Sequence, residues 1–168
     1  MYLAIRRATD DDAPDILKLT KEAFSVYRDE LNVNYEVKAL TETIATTLAD
    51  IREQAVFVAE RFGNVCGAIR IRKLSHDLWY IYRFGVSPEI SSTGLGSALL
   101  DAAVKYATDN GARAIALHTN SKYYKLARYY YGKQFYVHST SFDRGYVRAL
   151  FVLELSEGGV DLSPAFLL

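Results

Sequence analysis

Apolar positions recur along this chain with two different periods, and the change between them falls near residue 54. Ile5 to Ala8 is a short strand candidate and runs into Thr9-Asp10-Asp11-Asp12, a cluster of helix-capping residues. Pro14 follows in a first turn, where its missing N–H costs nothing. Ile16, Leu17, Thr20, Ala23, Phe24 and Tyr27 then sit at helical spacing. The polar stretch Arg28 to Glu36 separates this helix from a second one, with Leu40, Ile44, Thr47, Leu48 and Ile51 on one face.

Beyond residue 54 the pattern is strand-like. Ala55 to Glu60 and Val65 to Leu74 are joined by Arg61-Phe62-Gly63-Asn64, a hairpin turn. Trp79 to Val86 is a third strand. Gly94 to Asn110 reads as a helix with Leu95, Ala98, Leu99, Ala102, Ala103 and Tyr106 inward, ended by Asn110-Gly111. Arg113 to Thr119 has the Ala/Ile/Leu content of a buried parallel strand. Lys122 to about Gln134 is helical, and Tyr136 to Phe142 with Arg148 to Glu154 form a closing hairpin. Residues 156–168 show no period and are expected to form a surface tail. The order is strand, two helices, three strands, helix, strand, helix, two strands. Without repeats or linkers, this predicts one α/β (α+β) domain over residues 1–168, with its core at about 3–155.

Composition narrows the class. Half the residues are hydrophobic and 24% are charged, as in an ordinary globular protein. The net charge is zero, so the molecule as a whole has no pull toward nucleic acid or an anionic membrane. One cysteine, Cys66, excludes an internal disulfide framework and a cysteine metal cluster, and no metal site is expected. Neither a signal peptide nor an apolar run of roughly 20 residues is visible, which predicts a cytoplasmic chain with no membrane segment.

The most informative stretch is Phe84-Gly85-Val86-Ser87-Pro88-Glu89-Ile90-Ser91-Ser92-Thr93-Gly94-Leu95-Gly96-Ser97. It reads as a strand, a loop of small residues, and a helix with two glycines at its start. First-turn N–H groups and the positive end of the helix dipole converge there, which suits a phosphate. Glycine lets a phosphate approach the backbone, and the hydroxyls of Ser91, Ser92 and Thr93 are candidate donors. Ser92 or Thr93 is the expected helix cap. The pair Gly94-x-Gly96 lacks the third glycine of a dinucleotide fingerprint and the lysine of a P-loop.

Over about residues 3 to 155 the chain resembles the GNAT superfamily of N-acetyltransferases. The resemblance rests on the element order, on Val86-x-Pro88, on Ser91-Ser92-Thr93-Gly94-Leu95-Gly96, and on Tyr129-Tyr130-Tyr131-Gly132-Lys133-Gln134-Phe135. It implies a mixed, mostly antiparallel central sheet with helices on both faces and a splayed parallel strand pair at the coenzyme site. It further implies acetyl-CoA as the donor, with its pyrophosphate held by Ser91, Ser92, Thr93, Gly94, Leu95, Gly96 and Ser97. The main chain of Phe84 and Val86 would pair with the pantetheine arm. Two positions depart from the pattern: Ser91 stands where Arg or Gln is usual, and Gln134 where Gly is usual.

The same resemblance points to Tyr130 as the general acid that protonates the departing thiolate, with Tyr131 as the alternative register. A common glutamate base is replaced by Arg83. His118, at a strand end and in the right pKa range, is the candidate base, ahead of Glu60, Tyr80 and His76, while a water-mediated route stays open. Cys66 reads as a small core residue. Lys122, Lys125, Arg128 and Lys133 are candidates for the coenzyme's 3′-phosphate. The acceptor, a primary amine on a small molecule or peptide, would enter near residues 27–35 and 139–146. There Asp29, Glu30 and Glu36 supply charge, and Tyr27, Tyr35, Phe142 and Tyr146 supply aromatic walls. A homodimer is allowed. The alternative reading is a GNAT-like module that binds acyl-CoA without catalysis.

Overall fold

The computed structural model describes residues 3–91 and 93–168. Its elements are β1 (Leu3–Arg7), α1 (Ala13–Leu31), α2 (Ile44–Glu53), β2 (Ala55–Arg61), β3 (Asn64–Lys73), β4 (Leu78–Val86), α3 (Leu95–Asp109), β5 (Ala114–Asn120), α4 (Tyr124–Gly132), β6 (Tyr136–Ser141), β7 (Arg148–Glu154) and α5 (Ser163–Phe166). The seven strands form one mostly antiparallel sheet in the order β1-β2-β3-β4-β5-β7-β6. Its parallel pair is β4 with β5, registered at Leu78↔Ala114, Trp79↔Ile115 and Tyr80↔Ala116. Among the described residues, no helix is long and apolar enough to cross a membrane.

Contacts divide the chain into two compact units. One comprises residues up to Ile71 with Arg83–Tyr106, the other Arg72–Tyr82 with Ala107–Leu168.

In the first unit, α1 is longer than its apolar stripe suggests, because Arg28 to Leu31 continue it on the exposed side. Asn32, at φ 47°, ends it in the left-handed conformation that asparagine tolerates. The second helix starts later than its periodicity implies. Leu40 falls in a 3-10 turn (Lys38–Thr41), and Thr43 then caps α2 by accepting from the N–H of Thr46. The turn between β2 and β3 carries Phe62 at φ 52° and Gly63 at φ 80°, the two positive angles a tight hairpin requires. Ala13, Ile16, Leu19, Ile51, Val56, Val58 and Ala68 form the core.

The same unit holds a charge cluster that hydrophobic periodicity does not reveal. Arg70 on β3 is 1% exposed and grips Glu42 with both terminal nitrogens, at 2.6 and 2.8 Å. It also donates to Asp50 at 2.7 Å, and Arg83 approaches Glu42 at 3.5 Å. A lone arginine inside Cys-Gly-Ala-Ile-Arg-Ile is the trace it leaves in the sequence. Burial of a guanidinium at this depth requires such pairing.

In the second unit, Leu78, Tyr80, Ala114, Ala116, Leu150 and Val152 share a core with Ala165 of α5. The tail is therefore not merely superficial: Ala165 is fully buried, and Val160, Leu162 and Leu168 pack on the same cluster. Arg113 fastens the tail by donating to the Ser156 hydroxyl at 3.1 Å and to the Glu157 carbonyl at 2.9 Å. The apolar residues between Val160 and Leu168 follow no period, so the sequence pattern could not show this packing.

Candidate active site

In the first unit, β4 ends where the Ser87 N–H donates to the Cys66 carbonyl at 2.8 Å. A 3-10 turn (Pro88–Ile90) follows, and the chain then enters α3. The hydroxyls of Ser91 and Thr93 turn back onto that turn, donating to the carbonyls of Pro88 at 3.2 Å and Ile90 at 2.8 Å. Their protons are thus engaged locally, which corrects the expectation that the Ser91 and Thr93 hydroxyls serve as donors to a phosphate. The expected cap is also corrected. Gly94 stands at the N-cap position, its carbonyl accepting from the Ala98 N–H at 3.2 Å. Ser92 lies outside the described residues.

Gly94 has φ +81°, a conformation that strains any side chain, and no atom lies within 4 Å of where a Cβ would stand. The N–H groups of Leu95 and Gly96 precede the first bond of α3 and share its positive dipole end. Gly96 would place a Cβ in ordinary contact with Val86 Cγ2 at 3.5 Å and the Phe84 ring at 3.6 Å. A further glycine governs the approach of α3. At Gly67 on β3, a Cβ would lie 2.7 Å from Leu99 Cδ1 and 2.8 Å from Leu95 Cδ2. An isolated glycine inside a strand pattern is the signal that marks such a close approach.

In the second unit, Tyr130 is buried on α4 with its ring against Tyr129, Phe135 and Phe151, at centroid distances of 5.3, 5.5 and 5.6 Å. Burial pushes its phenol well above the ordinary value, so it keeps its proton at any physiological pH. Tyr131 is more than half exposed. The turn after α4 survives the departure at Gln134, which adopts φ 70° in the role of a glycine.

His118 Nδ1 lies 2.7 Å from the Tyr80 hydroxyl. Burial, then Arg148, lowers the imidazole to about 4, while burial raises Tyr80. Both groups are therefore neutral near pH 7 and share this one hydrogen bond. Tyr80 stacks on Tyr82 at 6.5 Å, and the Arg72 guanidinium lies 5.1 Å from the Tyr82 ring centroid.

The remaining candidates are engaged or dispersed. Glu60 pairs with Arg6 at 2.9 Å, and His76 with Asp77 at 2.9 Å. The Cys66 thiol is buried, pushed up by desolvation, and donates to the Ala59 carbonyl at 3.2 Å. Lys122, Lys125 and Arg128 are exposed and Lys133 is half-buried. The hydroxyls of Tyr27 and Tyr35 meet at 2.5 Å, while Asp29, Glu30 and Glu36 are exposed. Phe142 is exposed and Tyr146 half-buried. Among the described residues, no three His, Cys, Asp or Glu side chains form a group able to hold a metal ion.

The sequence matches the family described as acetyltransferase (GNAT) family over residues 15–135, a span that runs through both units. No curated protein matches it. Among solved structures, the PaiA N-acetyltransferase of Thermoplasma acidophilum, in complex with coenzyme A, is similar with a TM-score of 0.80. It is 16% identical, over 92% of this chain and 99% of that one. YncA of Salmonella typhimurium, solved with its cofactor acetyl-CoA, has a TM-score of 0.77 at 19% identity over 95% and 98% of the two chains. The ribosomal-protein-S18-alanine N-acetyltransferase of Escherichia coli has a TM-score of 0.74 at 15% identity over 96% and 99%.

Proposed function

Because the chain belongs to the acetyltransferase (GNAT) family, we propose that it transfers an acetyl group from acetyl-CoA to the primary amine of a small molecule or peptide. The observation that carries this reading is the start of α3. A left-handed Gly94 with open space around it leads into first-turn N–H groups at the positive end of a fifteen-residue helix. That arrangement fits a pyrophosphate without requiring a cationic side chain. Residues 91–97, with Ser91, Ser92 and Thr93 contributing main-chain groups, are the proposed cradle. The main chain of Phe84 and Val86 is the proposed partner of the pantetheine amides, and the exposed Lys122, Lys125 and Arg128 are candidates for the 3′-phosphate.

In the transfer, the amine nitrogen forms a bond to the acetyl carbonyl carbon and the carbon–sulfur bond breaks. We assign Tyr130 the role of acid at the departing sulfur. Its raised pKa secures the proton on the oxygen but lessens the driving force for full transfer, so hydrogen bonding to the developing thiolate is the larger part of its contribution. The amine must also lose a proton. His118 has Nδ1 engaged by Tyr80 and a basicity near 4, which makes it a weak acceptor at neutral pH. We therefore assign that proton to water, its loss being driven by the rise in nitrogen acidity once the carbon–nitrogen bond forms. The two fold units share one family match, which supports reading residues 1–168 as one acetyltransferase domain.

Titration with acetyl-CoA should raise the melting temperature. Thiol release with a panel of primary amines should then exceed the rate with acetyl-CoA alone. Absence of a melting shift at saturating coenzyme overturns the reading. A shift without thiol release on any amine would identify a binding module instead.

A further inference from the structure

The chain passes into the first unit within β4, between Tyr82 and Arg83. Arg83 takes φ 49°, the left-handed region that a non-glycine residue enters at a cost. A strained residue of this kind persists only where its surroundings hold it. Here the holder is the Glu42 carboxylate, 6% exposed, which lies 3.5 Å from Arg83 Nε. That nitrogen is buried and makes no hydrogen bond among the described residues, so it is engaged by charge attraction to Glu42. Glu42 is itself fixed, because both its oxygens accept from Arg70, at 2.6 and 2.8 Å. Asp50, 2.7 Å from Arg70 Nη1, is the second anion, so two carboxylates face two guanidiniums.

Arg83 is followed directly by the segment whose main chain is the proposed partner of the pantetheine amides. Phe84 and Val86 turn their side chains toward α3, where a Cβ on Gly96 would lie 3.6 and 3.5 Å from them. Gly85 faces α1 so closely that a Cβ would stand 3.0 Å from that of Ala23. The Ser87 N–H, bonded to the Cys66 carbonyl at 2.8 Å, closes the segment. These contacts fix the far end and both faces. The orientation in which the segment starts depends on Arg83, since one left-handed residue breaks the alternation of a strand and turns the peptide groups after it.

We propose that Glu42, locked by Arg70, is a positioning residue for the coenzyme: by holding Arg83 it maintains the left-handed step that presents the main chain of Phe84 and Val86 to the pantetheine arm. This rests on the acetyltransferase reading and adds to it the group that sets the coenzyme strand. It also gives Arg83, which replaces a common glutamate base, a task other than proton transfer. Without the tether, a residue other than glycine at position 83 leaves the left-handed region, and the coenzyme must restore it on binding. Apparent affinity then falls with the fraction of molecules that retain the step. Glycine enters that region freely and keeps the step without Glu42.

Coenzyme A and adenosine 3′-phosphate 5′-diphosphate, the same molecule without its pantetheine arm, separate the two parts of binding by calorimetry. Arg83→Ala should weaken coenzyme A by about tenfold, the scale of alanine's cost in the left-handed region, and leave the armless nucleotide unchanged. Arg83→Gly, which also lacks the tether, should recover most of the lost affinity. Neither a lost charge nor a general loss of stability produces that recovery. Glu42→Gln should weaken coenzyme A on its own and have little effect in the Arg83→Gly background. If Glu42→Gln fails to fold, the two Arg83 variants decide alone. Equal weakening by alanine and glycine, unchanged binding in Arg83→Ala, or parallel weakening of the armless nucleotide overturns the inference. So does an additive effect of Glu42→Gln in the glycine background. Failure of the acetyltransferase reading shows itself separately, as a missing melting shift with acetyl-CoA in the unaltered protein, and removes this inference with it.

Discussion

The backbone N–H of Phe135 donates to the Tyr130 carbonyl at 3.0 Å, and the two rings meet edge-on with centroids 5.5 Å apart. The Gln134 N–H donates to Tyr131 at 3.1 Å, which completes a Schellman closure of α4. The candidate acid is thus held through its own main chain by the turn that follows it, and that turn needs a left-handed residue.

Gln134 occupies the left-handed position at φ 70°, where glycine carries no steric penalty. Gln134→Gly should stabilise the fold by about 1 kcal/mol, since relief of the strain exceeds the added freedom of the unfolded chain. Thermal or urea unfolding checks this, and a destabilised variant would show that the glutamine side chain makes a compensating contact.

Tyr130→Phe keeps the ring packing against Phe135 and Phe151 and removes the hydroxyl. Turnover should fall by about 100-fold or more, in the range of general acid catalysis. The melting shift with acetyl-CoA should stay close to that of the unaltered protein. Unchanged turnover in a folded variant would remove Tyr130 from the acid role.

Gly94→Val places a β-branched residue at φ +81°. The loop must rearrange, because valine resists this region strongly. Steady-state kinetics should show KM for acetyl-CoA rising by about tenfold or more, with the core of the fold intact because no packed atom surrounds the site. Unchanged coenzyme affinity would rule out residues 91–97 as the cradle.

Arg70→Met leaves Glu42 buried beside Asp50 without its principal cation. Loss of one member of a buried ion pair costs about 3–5 kcal/mol, so the single variant should be severely destabilised. The double variant Arg70→Met with Glu42→Gln should recover a large part of that loss. Denaturant unfolding of the four proteins in the cycle measures the coupling, and additive effects would count against it.

His118 supplies a pH dependence of stability. Its folded pKa, about 4, lies below the ordinary imidazole value of about 6.5, so between these values the unfolded chain binds more protons. Stability should therefore fall as pH drops from about 6.5 toward 4. His118→Gln keeps an acceptor for Tyr80 and removes the titration. Its melting temperature should decline less over that window, and an equal decline would locate the effect elsewhere.

Much of this molecule was legible in one dimension. Period and punctuation are local properties: the apolar run over residues 55–59, helical spacing in α1 and α3, and the Phe62-Gly63 turn each depend on neighbours a few positions away. The run from Val86 to Gly96 likewise carries the motif for the proposed phosphate cradle in its own glycines and helix start. What the linear pattern could not determine was partnership across long separations. Arg70 meets Glu42 across twenty-eight positions and Tyr80 meets His118 across thirty-eight. A residue type does not disclose which distant group satisfies it, nor how burial then moves its pKa. The hydroxyls of Ser91 and Thr93 show the same limit at short range, since their direction depends on backbone torsions. The sequence by itself determined most of the elements and their order, and it singled out the start of α3 as the proposed place for an anion. Only the tertiary structure decided that Gly94 takes a left-handed conformation, that His118 meets Tyr80, and that the tail packs on the core of the second unit. The physical reason is that periodicity records which face of an element is apolar, whereas protonation, pairing and cavities arise where separate elements meet.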